Sequence, residues 1–342
     1  MVKTTEVLRK AIGEMKVVSG DVLSKVVEFV YIFDAQNCNP NGSLPENMPR
    51  QIPGTGQIYM TQESYKKRGK DLLREILEAK GLYEEMPQGK VDDKLTLWVS
   101  GRAVDPPTRF VEIVGDRVGK GKNIKADGDS IRYFLSAAVD AVSFGAVVPV
   151  SGNINLTGPI QIFDAVSVHP VEIIPEGGTG AFSTGGGQRT IRQEYKVGYA
   201  LMVGGGVFLP GYVRGKVFSS ESEEIKEISL SEIFSPEHVE VWIRAIWSGF
   251  ATKYFSTSKN IRPIAMAVVE YDGMYVKHFI HRRVYEKLWG EWRDKTPGSL
   301  NDIKDSLKKA LLELKRIGSN AYVWKPVFDM EEAEDGEALL LR

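Results

Sequence analysis

The chain has 342 residues, a net charge of −1 and a single cysteine. That length admits one large decorated domain or two modest ones, and hydrophobic and charged fractions of 42% and 26% are those of an ordinary globular protein. Cys38 alone excludes an internal disulfide framework and fits a reducing cytoplasm. The opening MVKTTEVLRKAIGEMK is a charged helix pattern rather than a signal peptide, and no run approaches the roughly 18 apolar residues of a membrane span. The charge is unevenly spread. Residues 221–237 and 329–342 each carry a net −5, so the remainder holds +9. The basic excess gathers at 50–70 (Arg50, Lys66, Lys67, Arg68, Lys70) and at 177–216 (Arg189, Arg192, Lys196, Arg214, Lys216). Such clusters suit a phosphate backbone and equally suit the solvated face of an ordinary surface.

In chain order, a short amphipathic helix is expected over 3–17. The β-branched and aromatic run 26–33 reads as a buried central strand. A polar stretch from Asp34 to Gly56, with prolines at 40, 45, 49 and 53, reads as a long structureless connection of the functional kind. A helix capped by Thr61 carries Leu72, Leu73, Ile76 and Leu77 at helical spacing and ends at Gly81. Its Lys66, Lys67 and Lys70 fall mostly off the apolar stripe, free to face a partner. Residues 82–128 read as an insertion, with a strand at 95–100 and a hairpin around 109–120. A helix from Asp129, its N-cap, runs to Gly145. Strands over 156–168 and 194–203 flank the glycine-rich 175–189, whose composition makes no core and reads as a flexible or ligand-ordered loop. A helix over 236–255 presents Val239, Trp242, Ile243, Ile246, Trp247 and Phe250 on one stripe. A strand over 263–271 continues through Asp272-Gly273 into a hairpin reaching Phe279. A last helix covers 299–316, and an acidic tail follows. The order of elements predicts an α+β fold with helices on one face of an antiparallel sheet, compatible with a ferredoxin-like core.

Most chemical motifs fail on inspection. One cysteine builds no thiolate zinc site, and His278-x-x-His281 lacks further ligands. The glycines and lysines of 115–122 miss P-loop spacing, and those of 177–187 do not spell a dinucleotide fingerprint. No Gly-x-Ser-x-Gly elbow exists. Cys38 with His169 reads as a conceivable thiol and base, or Cys38 as a small residue in a tight loop. Asp34 reads as a carboxylate near RNA or as the cap of a turn. The run DAQNCNPNG from Asp34 to Gly42 is different in kind. Asn37, Asn39 and Asn41 alternate before Gly42; their amides both donate and accept, and Asn and Gly tolerate left-handed backbone. With Arg50 behind it, this stretch reads as a cradle for a phosphodiester backbone, or as a turn-rich surface loop.

Placed straight after the first strand, Asp34…Asn39-Pro-Asn-Gly42…Pro49-Arg50 resembles the DevR-type crRNA-binding backbone subunits of type I CRISPR Cascade complexes, in the repeat-associated mysterious protein (RAMP) superfamily. Further landmarks keep the family's order: Asp140-Ala-Val-Ser-Phe-Gly145, Thr157-Gly-Pro-Ile-Gln161, His169-Pro170, Tyr199-Ala-Leu201, Ile261-Arg262-Pro263 and Val269-Glu-Tyr271. The likeness spans about residues 26–280. It implies a modified RNA-recognition-motif palm over 26–280, with fingers at 82–128 and a thumb hairpin at 171–195. An N-terminal extension (1–25) and a C-terminal helix with acidic tail (281–342) flank it. It further implies a non-catalytic subunit without cofactor or metal. That subunit contacts crRNA through Asn37, Asn39, Asn41, Gly42, Arg50, Lys66, Lys67, Arg68, Arg189, Arg192 and Arg262. Its partners are further copies of itself, other Cascade subunits and target DNA paired to the guide, with no membrane. Grip on sugar and phosphate suits a protein that must accept any guide. The sequence departs from the family at Ser43-Leu44, where an acid is common, at the acidic 217–235, and at 256–262, which lacks the common Thr-Arg-Ser. Related type III subunits cut RNA with a loop aspartate; Asn fills the loop here, so no cleavage is expected. A RAMP endoribonuclease using Asp34 or the histidine pair, and a self-assembling protein without nucleic acid, are the competing readings.

Overall fold

The computed structural model describes residues 3–13, 17–115, 118, 124, 126–150, 154–184, 188–213, 216–217, 228–252, 260–314, 317 and 320–324, with side chains described outside 178–192, 214–228, 251–259 and 318–324. The strands are β1 Lys25–Cys38, β2 Gly42–Ser43, β3 Met48–Pro49, β4 Tyr59–Met60, β5 Gly145–Val148, β6 Ile154–Thr157, β7 Ile160–Ser167, β8 Ile173–Thr184, β9 Gln188–Phe208, β10 Lys216–Val217, β11 Ile228–Ser229, β12 Ile261–Asp272 and β13 Asn320–Trp324. The helices are α1 Thr4–Ile12, α2 Gln62–Ala79, α3 Pro106–Val114, α4 Gly128–Ala137, α5 Val139–Phe144, α6 Pro210–Val213, α7 Pro236–Thr252, α8 Ile280–Trp292 and α9 Leu300–Leu314. Among the described residues no helix is long and apolar enough to cross a membrane.

The main sheet is ordered β13-β12-β1-β9-β7-β4, with β8 paired to β9. β1 is antiparallel to both β9 and β12, and β7 is antiparallel to β9. β1-α2-β7 and β9-α7-β12 are therefore two interleaved split βαβ units. Alternate residues of β1 explain its unbroken apolar run. Val27, Phe29, Tyr31 and Phe33 join the core beneath α2 and α7, while Val26, Val30 and Ile32 join a second core. That second core is closed by Ile280, Val284 and Leu288 of α8 and Ile303, Leu307 and Leu311 of α9. The expectation of helices on one face is thus corrected: both faces are covered. The hairpin expected through Asp272-Gly273 to Phe279 does not form: 273–279 is a connection, and α8 follows from Ile280. Its start is held by the buried Glu28 carboxylate of β1, which accepts from His278 N at 3.0 Å and Ile280 N at 2.8 Å, a negative group at a positive helix end.

Several expected elements change for local reasons. β1 runs on to Cys38, because β9 and β12 supply ladder partners on both sides of Asp34 and Ala35. The hairpin expected around 109–120 is helical through Val114: Asp105 caps α3, accepting from Thr108 N, and proline fills the first turn. The helix expected to be capped by Asp129 is capped two residues earlier, by Asp127 in the Asp127–Ser130 capping box. It breaks at Ala138 because Thr96 inserts, donating its N–H to Ala137 O and accepting from Val139 N. The strand expected at 95–100 is reduced to bridges at Leu95 and Thr96. The described parts of the glycine-rich stretch, 175–184 and 188–189, belong to the β8–β9 ribbon. The N-terminal segment joins the first core through Val7, Leu8 and Ala11. At the other end β13 adds an unforeseen edge strand; the acidic tail lies outside the described residues.

His238 gives the fold a pH dependence. Its ring is fully buried, Nδ1 accepts from Ser235 N at 3.0 Å, and burial lowers its pKa to about 4. The unfolded ring protonates near 6.5. Stability is therefore complete above about pH 6.5 and falls as pH drops from there to about 4, by about 3 kcal/mol. His169, depressed by burial in the same direction, adds to the slope. Denaturant midpoints measured from pH 7 to 4.5 should fall accordingly, and His238→Asn, which keeps an acceptor for Ser235 N, should flatten the curve.

Candidate nucleic-acid interface

The Asp34–Gly42 run closes β1 in a built turn rather than a structureless loop. Asn37, exposed, adopts left-handed backbone at φ 48°. The buried Cys38 thiol donates to Asn260 O. Asn39 Nδ2 donates to Asn47 O, and its Oδ1 is buried with no hydrogen-bond partner. β2 and β3 pair Gly42 with Pro49 and Ser43 with Met48. A Cβ on Gly42 would lie 1.9 Å from Asn47 Oδ1, so glycine is what this turn admits without moving Asn47. Asn41 Oδ1 accepts from Thr61 N at 2.9 Å, and Asp164 accepts from Gln62 N at 2.9 Å. These two side chains, and not the Thr61 hydroxyl, satisfy the start of α2. Arg50 donates its N–H to Asn41 O, its carbonyl accepts from Tyr59 N, and its Nε is buried with no hydrogen-bond partner.

The basic face expected on α2 is corrected. Arg68 is 2% exposed, which removes it from any surface contact in this chain. Lys70 pairs with Asp140 at 2.8 Å. Lys66 donates to Gln62 Oε1, lies 5.1 Å from the centre of the Phe144 ring, and is lowered to a pKa of about 8, chiefly by burial. Lys67 alone of these three lysines is well exposed, paired with Asp71 along the helix. Periodicity gives the apolar stripe correctly but not α5, which packs against the flank carrying Lys66 and Lys70.

The motifs that surround this region have structural reasons. Asp140 accepts from Trp98 N at 2.6 Å and Val99 N at 3.1 Å. Gly145, at φ 102°, and Gly158 meet so closely that a Cβ on Gly158 would lie 2.5 Å from Gly145 N. His169 is buried, with Leu201 N donating to Nε2 and Nδ1 donating to Pro170 O. Both its nitrogens face backbone, and burial raises the Cys38 thiol, so the thiol–imidazole reading is dropped. His281 stacks on Phe163 with ring centres 4.5 Å apart, and His278 meets the edge-on Tyr271 ring. Among the described residues no group of three or more His, Cys, Asp or Glu could hold a metal.

Asp34 lies in β1, not at a turn. Its carboxylate accepts from Arg262 Nη2 at 2.6 Å and Nε at 3.3 Å. The Asp34 side chain is 4% exposed and that of Arg262 47%. Burial pushes the Asp34 carboxyl up, opposed by the guanidinium. Beyond this end of the sheet β9 continues without a break. Its Val197–Phe208 portion pairs with β1, and its Gln188–Lys196 portion pairs with β8. At about 3.3 Å per residue the second portion makes an arm of about 30 Å. In the arm Arg192 is opposite Gly178 and Arg189 opposite Ser183; their side chains lie outside the described residues.

A class of protein is now defined: an α+β chain with a split-βαβ sheet, helices on both faces and a long two-stranded arm leaving the sheet beside an Asn-rich turn. Residues 25–307 match the family model described as CRISPR-associated protein Cas7, and the chain belongs to that family. The CRISPR-associated protein Cas7 of Haloferax volcanii is 26% identical over 182 residues, 47% of this chain and 49% of that relative, so the match spans about half of each. A chain of a "CRISPR RNA-guided surveillance complex, pre-nicking" shares the fold at a TM-score of 0.52 and 13% identity, covering 92% of this chain and 95% of that one.

Proposed function

We propose that this chain is a non-catalytic backbone subunit of a type I CRISPR surveillance (Cascade) complex, binding crRNA through its sugar–phosphate chain. Family membership supports the setting. One observation carries the assignment of the site: the Asn37–Gly42 turn, Arg50, Arg262 and the root of the β8–β9 arm share one end of the sheet. In this reading the sheet with α2 and α7 is the palm, 82–128 the fingers and the β8–β9 ribbon the thumb. Copies line up along one guide in the cytoplasm beside other Cascade subunits, leaving bases free to pair with target DNA. Contacts to phosphate and ribose position the strand without reading its sequence. The burial of Asp34 against Arg262 weighs against its use as a nuclease acid, since it is neither exposed nor free of a counter-charge.

Protein purified after expression should carry RNA, seen as excess absorbance at 260 nm. Affinity for single-stranded RNA should fall steeply with salt and little with sequence. Protein that carries no RNA and binds none would leave a structural role. Labelled RNA incubated with Mg²⁺ should stay intact. Discrete products lost in Asp34→Ala would establish the endoribonuclease reading instead.

A further inference from the structure

β13 is the last described element, and its direction sets where the chain heads next. It is antiparallel to β12, with Asn320 opposite Glu270 and Trp324 opposite Met266. Along β12 the same direction leads from Met266 to Arg262 and Ile261, which stand opposite Asp34 and Ala35 just short of the Asn37–Gly42 turn. β13 therefore points to the end of the sheet that carries the turn, Arg50, Arg262 and the root of the arm. Four residues of extended chain, about 13 Å, lead from the level of Met266 to that of Arg262. Phe328 is the fourth residue after Trp324, and the acidic segment 329–342 starts immediately behind it.

Reach across the sheet is ample. In the order β13-β12-β1-β9, three strand spacings, about 14 Å, separate β13 from the strand that becomes the arm. Residues 325–342 can span about 60 Å when extended. Charge favours the encounter. Residues 329–342 hold six acids against Arg342, a net −5. At that end of the sheet stand Arg50, Arg262 with its side chain 47% exposed and, on β9 beyond Val197, Arg192 and Arg189. Asp34 and Glu176 are already committed to Arg262 and Lys196. With both acidic segments set aside, the chain carries +9.

We propose that the acidic segment 329–342 docks on this end of the sheet when no RNA is bound, and that an RNA strand displaces it. The proposal rests on the RNA-binding reading and adds a competitor built into the chain. Carboxylates pair with guanidinium groups in the same forked geometry as phosphates. Tethering a few residues away gives the segment an effective concentration in the millimolar range, so weak contacts suffice. A long RNA strand offers a charge at every nucleotide and wins the surface, whereas a short stray anion does not.

The test uses the full chain and a single-stranded uridine homopolymer, with affinity measured at about 50 and 200 mM salt. One variant combines Glu331→Gln, Glu332→Gln, Glu334→Gln and Glu337→Gln. A charge-matched second combines Glu221→Gln, Glu223→Gln, Glu224→Gln and Glu227→Gln, at positions that follow the end of β9 pairing with Val27, the end away from the turn. The first variant should bind about tenfold more tightly than the wild type at the lower salt and within about twofold of it at the higher, because screening loosens the docked segment as well. Its log–log salt slope should be the steeper, since carboxylates displaced by RNA take up cations while the phosphates release them. The second variant should stay within about twofold of the wild type at both salts. Equal gains in the two variants would mean that the acids act only through net charge at a distance. No gain in the first would mean that the segment stays off the interface. Either result overturns the proposal while the RNA-binding reading stands. If none of the three proteins binds RNA, that reading fails and the docked segment fails with it.

Discussion

Asp140→Ala is expected to lower the stability of the chain by about 3–5 kcal/mol, the cost of removing one partner from a buried ion pair. The Asp140 side chain is 1% exposed and is the shared acceptor for Trp98 N, Val99 N and Lys70 Nζ. Its loss leaves two backbone donors without their acceptor, at about 1–3 kcal/mol each where water cannot reach them. It also leaves Lys70, 13% exposed, beside the Phe144 ring with no counter-charge. The damage should spread to the 95–100 segment, which splits α4 from α5. Urea denaturation at constant pH should show the midpoint moving down with little change in slope. Adding Lys70→Met to the variant should recover part of the loss, because the stranded charge goes with it. A loss under about 1 kcal/mol would mean that solvent reaches these donors.

The second large effect concerns binding alone. Joining Glu176 to Glu194, which face each other in the ribbon, by a two-residue Asn-Gly turn removes the outer arm and keeps a favoured hairpin closure. The deleted stretch pairs only within the β8–β9 ribbon in the described registers, so the melting temperature should change by no more than a few degrees, within the range of about 1 kcal/mol. RNA affinity should fall more than tenfold at moderate salt. The log–log salt slope should drop by about 1.4, as expected for losing Arg189 and Arg192 from a single strand. Unchanged binding would remove the arm from the interface.

Much of the sheet was legible from periodicity. β1 to Phe33, α2, α7 and α9 announce themselves because each buries an apolar run or stripe whose period is that of its own geometry. The continuation of β1 through Asp34 to Cys38 was hidden, because its ladder partners on β9 and β12 are distant in sequence and its buried Asp34 is answered by Arg262. α8 was hidden behind the histidines and arginines at its start, although Ile280, Val284 and Leu288 keep helical spacing. Asp105-Pro-Pro-Thr108 is a helix start legible in the sequence, masked by the glycines and lysines that follow it. The Asn-rich run and its prolines signal turns but not the short β2–β3 ladder, which depends on Asn47 meeting Asn39 and Gly42. Arg68 and Lys66 show the limit: which flank of α2 meets solvent depends on α5 and α7, distant in sequence.

The continuity of β9 has a dynamic consequence. One strand is zipped between β1 and β7 along its inner half and to β8 alone along its outer half. Amide protons at Val203–Phe208 open only with the whole core, while those of the outer half open with the ribbon, at a much smaller free energy. Exchange rates should therefore step sharply within a single strand near Val197. A ligand that clasps the ribbon would slow exchange on the far side of that step and leave the near side as it was.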